Sequence, residues 1–166
     1  MQLIKLFLTI ASLVFLQGSG SFVYSRLIVV SDLEPLVVRY MEACTSAGRK
    51  CAERLDSQFL YLKVTWAHSL PNGYIGLCEG WKRKNTGDFY GTVYISNDLR
   101  KADPEFLYLV LAHEMEHCLR RIEHSPEDRQ TLMSVKMMTL EQVAKKFGSA
   151  DDAVKNSLLS NNPDQW

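Results

Sequence analysis

The segment from Asp103 to Ile122 constrains the fold more than any other part of the sequence. Asp103 is a typical helix N-cap, and Pro104 suits the first helical position, where an N–H would have no partner inside the helix. Apolar side chains in the first half of this helix cover more than one face, so we expect it to run through the centre of the domain. These apolar residues are Phe106, Leu107, Leu109, Val110 and Leu111.

The elements predicted around this central helix include both helices and strands. Ser31 and Asp32 form a candidate N-cap for a helix that ends near Ser46, and Thr139 opens a capping box before a short helix that ends near Gly148. Runs rich in aromatic and β-branched residues predict three strands. This order of elements predicts an α+β fold. The predicted strands cover residues 59–66, 74–81 and 89–96, and a last helix covers residues 150–159.

The first residues of the chain have the pattern of a secretory signal peptide. Residues 1–16 carry a single charge, Lys5, and small residues follow the apolar run. That run of about eleven residues is too short for a transmembrane helix, which needs about twenty. We therefore predict a signal peptide over residues 1–24, cleaved between Gly18 and Ser25, and a secreted or periplasmic protein. The alternative is a retained N-terminal membrane anchor.

Length and charge limit what the rest of the chain can be. The chain has 166 residues, which after cleavage leaves one domain over residues 25–166. Its 19 basic and 19 acidic residues cancel, whereas nucleic-acid-binding domains normally have a basic excess, so we expect no nucleic-acid partner. The same balance argues against stable association with a membrane surface. We expect a monomer.

Export changes the interpretation of the four cysteines, Cys44, Cys51, Cys78 and Cys118. An even number of cysteines in an exported chain is typical of disulfides, and no C-x-x-C motif supports a cysteine zinc site or a redox motif. Four cysteines allow three connectivities, which sequence alone does not distinguish. The favoured interpretation pairs Cys44 with Cys51 in a small local loop, which leaves Cys78 with Cys118.

The central helix contains the motif His113-Glu114-Met115-Glu116-His117. Two histidines at i and i+4 project from one face of a helix, so both imidazoles can reach one metal ion. Zinc lowers the pKa of a coordinated water towards about 7, and the carboxylate of Glu114 is placed to take the proton of that water. The same carboxylate can pass the proton to the leaving nitrogen of a peptide bond. The motif therefore predicts zinc-dependent hydrolysis of peptide bonds.

A catalytic zinc ion usually has three protein ligands, and His124 is the candidate for the third. If the helix continued, His124 would lie about 10 Å farther along the axis than His117, so we expect a sharp turn between Leu119 and Glu123. The remaining histidine, His68, is expected to be structural or exposed. Acidic residues that compete with His124 as third ligand are Glu127, Asp128 and Glu141.

These residues resemble the metzincin clan of zinc metallopeptidases, which have H-E-x-x-H-x-x-G-x-x-H followed by a Met-turn. The closer resemblance is to small, secreted, mostly bacterial proteins of the H-E-x-x-H-C type, with an arginine before the third histidine and a Met-turn soon after it. Here Cys118 follows the second histidine, and Leu132-Met133 follows the third. The third histidine comes seven residues after the second rather than six, and Arg120 and Arg121 occupy the stretch of the family's turn glycine.

The resemblance implies a fold and a set of residue roles. The implied fold is a small mixed β-sheet packed on a long active-site helix, with N-terminal and C-terminal helices. Its edge strand, expected at residues 89–96, would hold a peptide substrate in an extended conformation. The implied roles are zinc ligation by His113, His117 and His124, general base catalysis by Glu114, and a floor beneath the metal formed by Met133, or alternatively by Met137 or Met138.

The sequence therefore predicts an exported zinc-dependent peptidase with Zn²⁺ as its cofactor and a peptide or protein as its substrate. The alternative is a non-catalytic secreted binding module, which keeps a zincin fold and a structural or vestigial metal site. Metal binding without turnover of any peptide would identify the second function.

Overall fold

The computed structural model describes residues 26–124, 132–133 and 137–160. Within these ranges the chain forms a four-stranded mixed β-sheet and five α-helices, which confirms the predicted α+β class. The elements in chain order are β1 (Leu27–Val29), α1 (Glu34–Ser46), α2 (Cys51–Gln58), β2 (Phe59–Ala67), β3 (Gly76–Lys82), β4 (Phe89–Ser96), α3 (Pro104–Arg120), α4 (Leu140–Phe147) and α5 (Ala150–Ser160).

The strands lie in the order β1-β2-β4-β3, and only the last pair is antiparallel. The expectation that residues 89–96 form the edge strand is therefore wrong, because β4 lies between β2 and β3. The turn after Lys82 folds β3 along the outer side of β4, while the other side of β4 pairs with β2. Burial agrees, since Val93 and Ile95 of β4 are fully buried and the second half of β3 is exposed. The edge strand on this side is β3.

The helix α3 lies at the centre of the molecule, as its apolar sequence predicts. It packs on β3 and β4 on one side and on α1, α2 and α5 on the other. From Tyr108 to Arg120 every residue of α3 is buried except His117, which is half-buried. Burial of this kind leaves the helix little freedom to move, so side chains that project from it keep fixed positions.

Helix ends follow local capping rules at two of the three predicted N-caps. Asp103 accepts a hydrogen bond from the backbone N–H of Glu105 at 2.8 Å, and Thr139 forms the predicted capping box with Gln142.

The third candidate, Asp32, does not cap α1, which begins after Leu33 without a side-chain cap. Its carboxylate instead accepts hydrogen bonds from the Trp66 indole at 2.8 Å and from the Arg100 guanidinium at 2.7 Å. Two charge-assisted tertiary contacts therefore replace the local one.

Two elements, β1 and α2, are absent from the sequence-based prediction. β1 has three residues and α2 has eight, so neither is long enough to show a clear hydrophobic period. The start of α2 is tied to α1 by the disulfide Cys44–Cys51, and the disulfide Cys78–Cys118 joins β3 to α3. Both disulfides confirm the favoured pairing of the cysteines.

A buried ion pair anchors the side of α3 that faces the other helices. The carboxylate of Glu116 accepts hydrogen bonds from the Tyr40 hydroxyl at 2.8 Å and from the Arg120 guanidinium at 2.6 Å. All three side chains are buried, and Arg120 also reaches the carbonyl of Ser157 on α5 at 3.4 Å. This cluster joins α1 and α5 to α3. Removal of either Glu116 or Arg120 would leave the other charge buried without its partner, which is strongly destabilising.

The predicted signal peptide, residues 1–24, lies outside the described residues, as do the candidate ligands Glu127 and Asp128. In the part of the chain that the structure describes, no helix is both long enough and apolar enough to span a membrane.

Candidate metal centre

The first two histidines of the motif lie one turn apart on α3. His113 is buried at 4% exposure and His117 is half-buried. Their Nε2 atoms are 3.0 Å apart, so the i, i+4 spacing brings both imidazoles to one point, as predicted.

The third histidine reaches the same point through a sharp turn at the end of α3. The helix ends at Arg120, and Arg121 adopts the left-handed conformation with φ 53° and ψ 35°. The chain then reverses, and His124 Nε2 lies 3.2 Å from that of His113 and 3.1 Å from that of His117. The predicted turn between Leu119 and Glu123 is confirmed, and so is the proximity of His124 to the other two histidines.

Backbone carbonyls fix the protonation of two of the rings. His113 Nδ1 lies 2.6 Å from the carbonyl oxygen of Leu132, and His117 Nδ1 lies 2.5 Å from that of Ile122. A carbonyl oxygen only accepts, so each Nδ1 carries a proton and donates it. In the neutral ring Nε2 is then unprotonated, and its lone pair points at the other two rings.

Burial keeps these two rings neutral. Burial, together with the nearby His117 and His124, lowers the pKa of His113 to about 4, and the hydrogen bond to the Leu132 carbonyl opposes that shift. Burial also lowers the pKa of His117. Both imidazoles are therefore neutral at neutral pH, which is the form that binds a metal.

The three nitrogens fit a divalent transition metal. The three Nε2 atoms lie 3.0–3.2 Å apart, and within the described residues only each other's rings lie within hydrogen-bond distance of them. A tetrahedral zinc ion with nitrogen ligands at about 2.0–2.1 Å holds them about 3.3 Å apart, close to the observed separations. The group His113, His117 and His124 could therefore bind a metal ion, and three imidazoles suit zinc, copper, nickel and iron.

Glu114 is held beside this group by the edge strand. Its side chain is buried, and its carboxylate accepts a hydrogen bond from the backbone N–H of Cys78 on β3. Burial raises the pKa of Glu114 to about 7, and the Cys78 N–H opposes that shift. A carboxyl group with this pKa can both take up and release a proton near neutral pH.

Gly76 is a site residue that the sequence did not identify. A Cβ atom at this position would lie 2.7 Å from both Cγ and Oε1 of Glu114, closer than any side chain tolerates. The signal was available, because a glycine inside a strand pattern often marks a close approach of another group. With any other residue at this position, either β3 or the Glu114 side chain would have to move.

The residues around the three histidines form a cleft of about 770 Å³. β3 contributes one wall and the turn after α3 contributes another. Lining residues include Tyr74, Gly76, Cys78, Glu114, His117 and His124. The cleft is large enough to hold a segment of peptide beside the metal group.

The other predicted site residues lie at different distances from this centre. Met133 is buried, and its neighbour Leu132 contacts the His113 ring through the carbonyl, so this segment lies against the metal group. Glu141 is exposed in the first turn of α4 and does not join the three histidines. His68 is exposed beside Asn97, as expected for a residue outside the site.

No protein-family model, no curated protein and no solved structure matches this chain. The chemistry of the centre is therefore inferred from the geometry of its own residues.

Substitution of the third ligand tests the composition of the metal group. We expect His124→Ala to weaken zinc binding by more than about 100-fold, because it removes one of three converging nitrogens. His124 is exposed, so the variant should fold. Competition with a chromophoric chelator measures the affinity. Glu141→Ala is the control, and an equal loss of affinity in that variant would show that an acidic ligand is used instead.

Glu114 makes a testable contribution to the pH dependence of stability in the metal-free protein. The unfolded residue ionises above about pH 4.5 and the folded one only above about pH 7, so in wild type this residue lowers the free energy of unfolding as pH rises between those values. Glu114→Gln cannot ionise. The free energy of unfolding of the variant minus that of wild type should therefore increase by about 3 kcal/mol at most between pH 4.5 and pH 7.5. Urea unfolding with chelator present measures it, and a difference independent of pH would contradict the assignment.

Proposed function

We propose that this protein is an exported zinc-dependent peptidase. The observation that carries the proposal is the convergence of the Nε2 atoms of three histidines within 3.2 Å of each other, beside a buried glutamate in an open cleft. Metal binding alone would need only the histidines. The added carboxylate, aimed at the same cleft with a raised pKa, supports a hydrolytic function.

The three histidines would hold the zinc ion and leave its fourth position to water or substrate. When bound, zinc supplies Lewis-acid chemistry, in that it lowers the pKa of water and polarises a carbonyl group. The carbonyls of Leu132 and Ile122 orient the rings of His113 and His117 and make their Nε2 atoms better donors. Met133 would form the floor of the site, because its segment already lies against His113.

Glu114 would act as the general base and then as the general acid. An oxygen of its carboxylate takes a proton from the attacking water as the water oxygen bonds to the carbonyl carbon of the peptide. The same carboxyl group then gives that proton to the leaving nitrogen as the C–N bond breaks. A pKa raised to about 7 suits both steps at neutral pH.

The edge strand β3 would bind the substrate. β4 pairs with one side of β3, and no described strand pairs with the other. A peptide can add to that side as a further strand through backbone hydrogen bonds, which tolerate many sequences and need no net charge. Because β3 also contacts Glu114 through Gly76 and Cys78, a peptide paired with it would pass close to the metal group.

Export fits the covalent structure of the protein. Two disulfides are typical of an oxidising compartment, and the predicted signal peptide at residues 1–24 would direct the chain there. We propose that the mature protein acts as a monomer.

One contact favours a second candidate, a secreted binding module without catalytic activity. The Glu114 carboxylate is already engaged by the N–H of Cys78, and a carboxylate bonded to a strand in this way can be a structural element. This module would bind zinc and peptides but would not cleave them.

Glu114→Gln separates catalysis from metal binding. The variant should hold one zinc ion per chain, because the three histidines are intact, and should lose peptide cleavage by about 100-fold or more. Metal analysis and a broad peptide-cleavage screen measure the two properties, with Glu141→Gln as a matched change at an exposed carboxylate. Undiminished cleavage in Glu114→Gln would exclude the mechanism. Zinc binding without any cleavage in wild type would support the binding module.

A further inference from the structure

A second pocket, of about 420 Å³, lies at the end of β3. It is formed where β2 and β4 begin and where the turn between β3 and β4 closes. Three of its lining residues are cations: Arg26, Lys82 and Arg121. Arg121 also lines the metal cleft, so the two cavities meet at this side chain.

Two of the three cations contact uncharged groups of the described residues. Arg26 donates to the carbonyl oxygen of Phe59 at 2.6 Å, and Arg121 stacks over the ring of Phe89 at 4.6 Å. Neither of them, nor the exposed Lys82, forms an ion pair with an acidic residue in the described part of the chain.

One carboxylate offsets only one of the three positive charges, and the adjoining turn adds two more cations. Asp88 is the one acidic residue among the lining residues, and its carboxylate accepts a short hydrogen bond from the Thr86 hydroxyl. The turn between the strands adds Arg83 and Lys84. In a chain whose net charge is zero, this is a local concentration of positive charge.

A further cation lies near Arg121 on the protein side. Burial lowers the pKa of Arg54, and the charges of Arg121 and Arg120 lower it further. Arg54 therefore adds no negative charge that would offset Arg121.

The backbone of Arg121 indicates that its side chain has a function. Its φ of 53° is unfavourable for any residue with a Cβ atom, and glycine would occupy this turn without strain. The turn itself is needed to bring His124 to the metal group, but an arginine is not. Arg121 lines both cavities, and its guanidinium, which lies over the Phe89 ring of the basic pocket, is what a glycine would lack.

We propose that this basic pocket is a subsite of the metal cleft that binds the carboxylate of an acidic residue in a peptide substrate. The inference rests on the proposed function, because a peptide paired with β3 is what would carry the carboxylate there. Lys82 follows Gly76 by six residues and Cys78 by four along the strand. At about 3.3 Å per residue, an aspartate about four to six residues from the reacting carbonyl comes level with Lys82.

Peptide pairs that differ only in one side chain, a carboxylate or its amide, test the subsite. Each pair carries Asp or Asn at one position, and the position is moved from one to eight residues on either side of the cleaved bond. We expect the Asp peptide to have a KM about tenfold lower than its Asn partner at four to six residues. The ratio should fall towards one as salt is raised. Equal KM values at every position would overturn the proposal.

A binding readout keeps this result separate from the proposed function. Calorimetry on the full chain carrying Glu114→Gln and loaded with zinc should show the same preference for the Asp peptide in Kd. Tighter binding of the Asp peptide without cleavage by wild type would support the subsite and exclude the peptidase. Cleavage of both peptides with equal KM and equal Kd would exclude the subsite and support the peptidase.

Three variants assign the preference to the pocket. Arg121→Gly should keep or raise the Tm, because glycine suits φ 53°, and should lose most of the ratio between Asp and Asn peptides. Lys82→Gln should lower the ratio too. Lys63→Gln removes the same charge from an exposed position on β2 and is the matched control. Two results would overturn the assignment. In the first, both Arg121→Gly and Lys82→Gln keep the wild-type ratio between Asp and Asn peptides. In the second, Lys63→Gln loses as much of that ratio as they do.

Discussion

The convergence of three imidazole nitrogens within 3.2 Å is the constraint on which the rest of the site depends. In two of these rings, those of His113 and His117, the hydrogen bond from Nδ1 leaves the Nε2 lone pair free for a metal ion. The carbonyls of Leu132 and Ile122 orient these two rings, and the left-handed turn at Arg121 brings in the third. The burial of α3 keeps His113 and His117 in place, because a buried helix has little freedom to rotate.

One face of α3 packs on the neighbouring helices, and the other carries the candidate site. On one face Glu116 is bound by Tyr40 and Arg120 and holds the neighbouring helices. On the other, Glu114 lies under the edge strand, where the disulfide Cys78–Cys118 fixes β3 to the helix. The two carboxylates of the motif therefore have different environments. Glu116 is paired with the buried Arg120, whereas Glu114 lines the cleft and has no cation beside it among the described residues. Burial raises the pKa of Glu114 to about 7 and also raises that of Glu116, where the Arg120 charge opposes the shift.

Features with a local physical cause could be predicted from the sequence. Asp103 and Pro104 begin α3, the i, i+4 spacing brings His113 and His117 together, and the short separation of Cys44 and Cys51 favours their pairing. Features that depend on contacts between distant parts of the chain could not be predicted. Nothing in residues 89–96 shows that β4 has a partner on both sides, and nothing near Asp32 points to its tertiary partners. The carbonyls that orient the histidines have no side-chain signature, so only the folded chain reveals them.

We propose that the three histidines, and no other protein side chain, bind the zinc ion. X-ray absorption at the zinc edge, recorded on the zinc-loaded full chain, tests it most directly. We predict three imidazole nitrogens at about 2.0–2.1 Å and one oxygen from solvent, with no sulfur. A spectrum that fits two imidazoles, or that needs a sulfur ligand at about 2.3 Å, would contradict it.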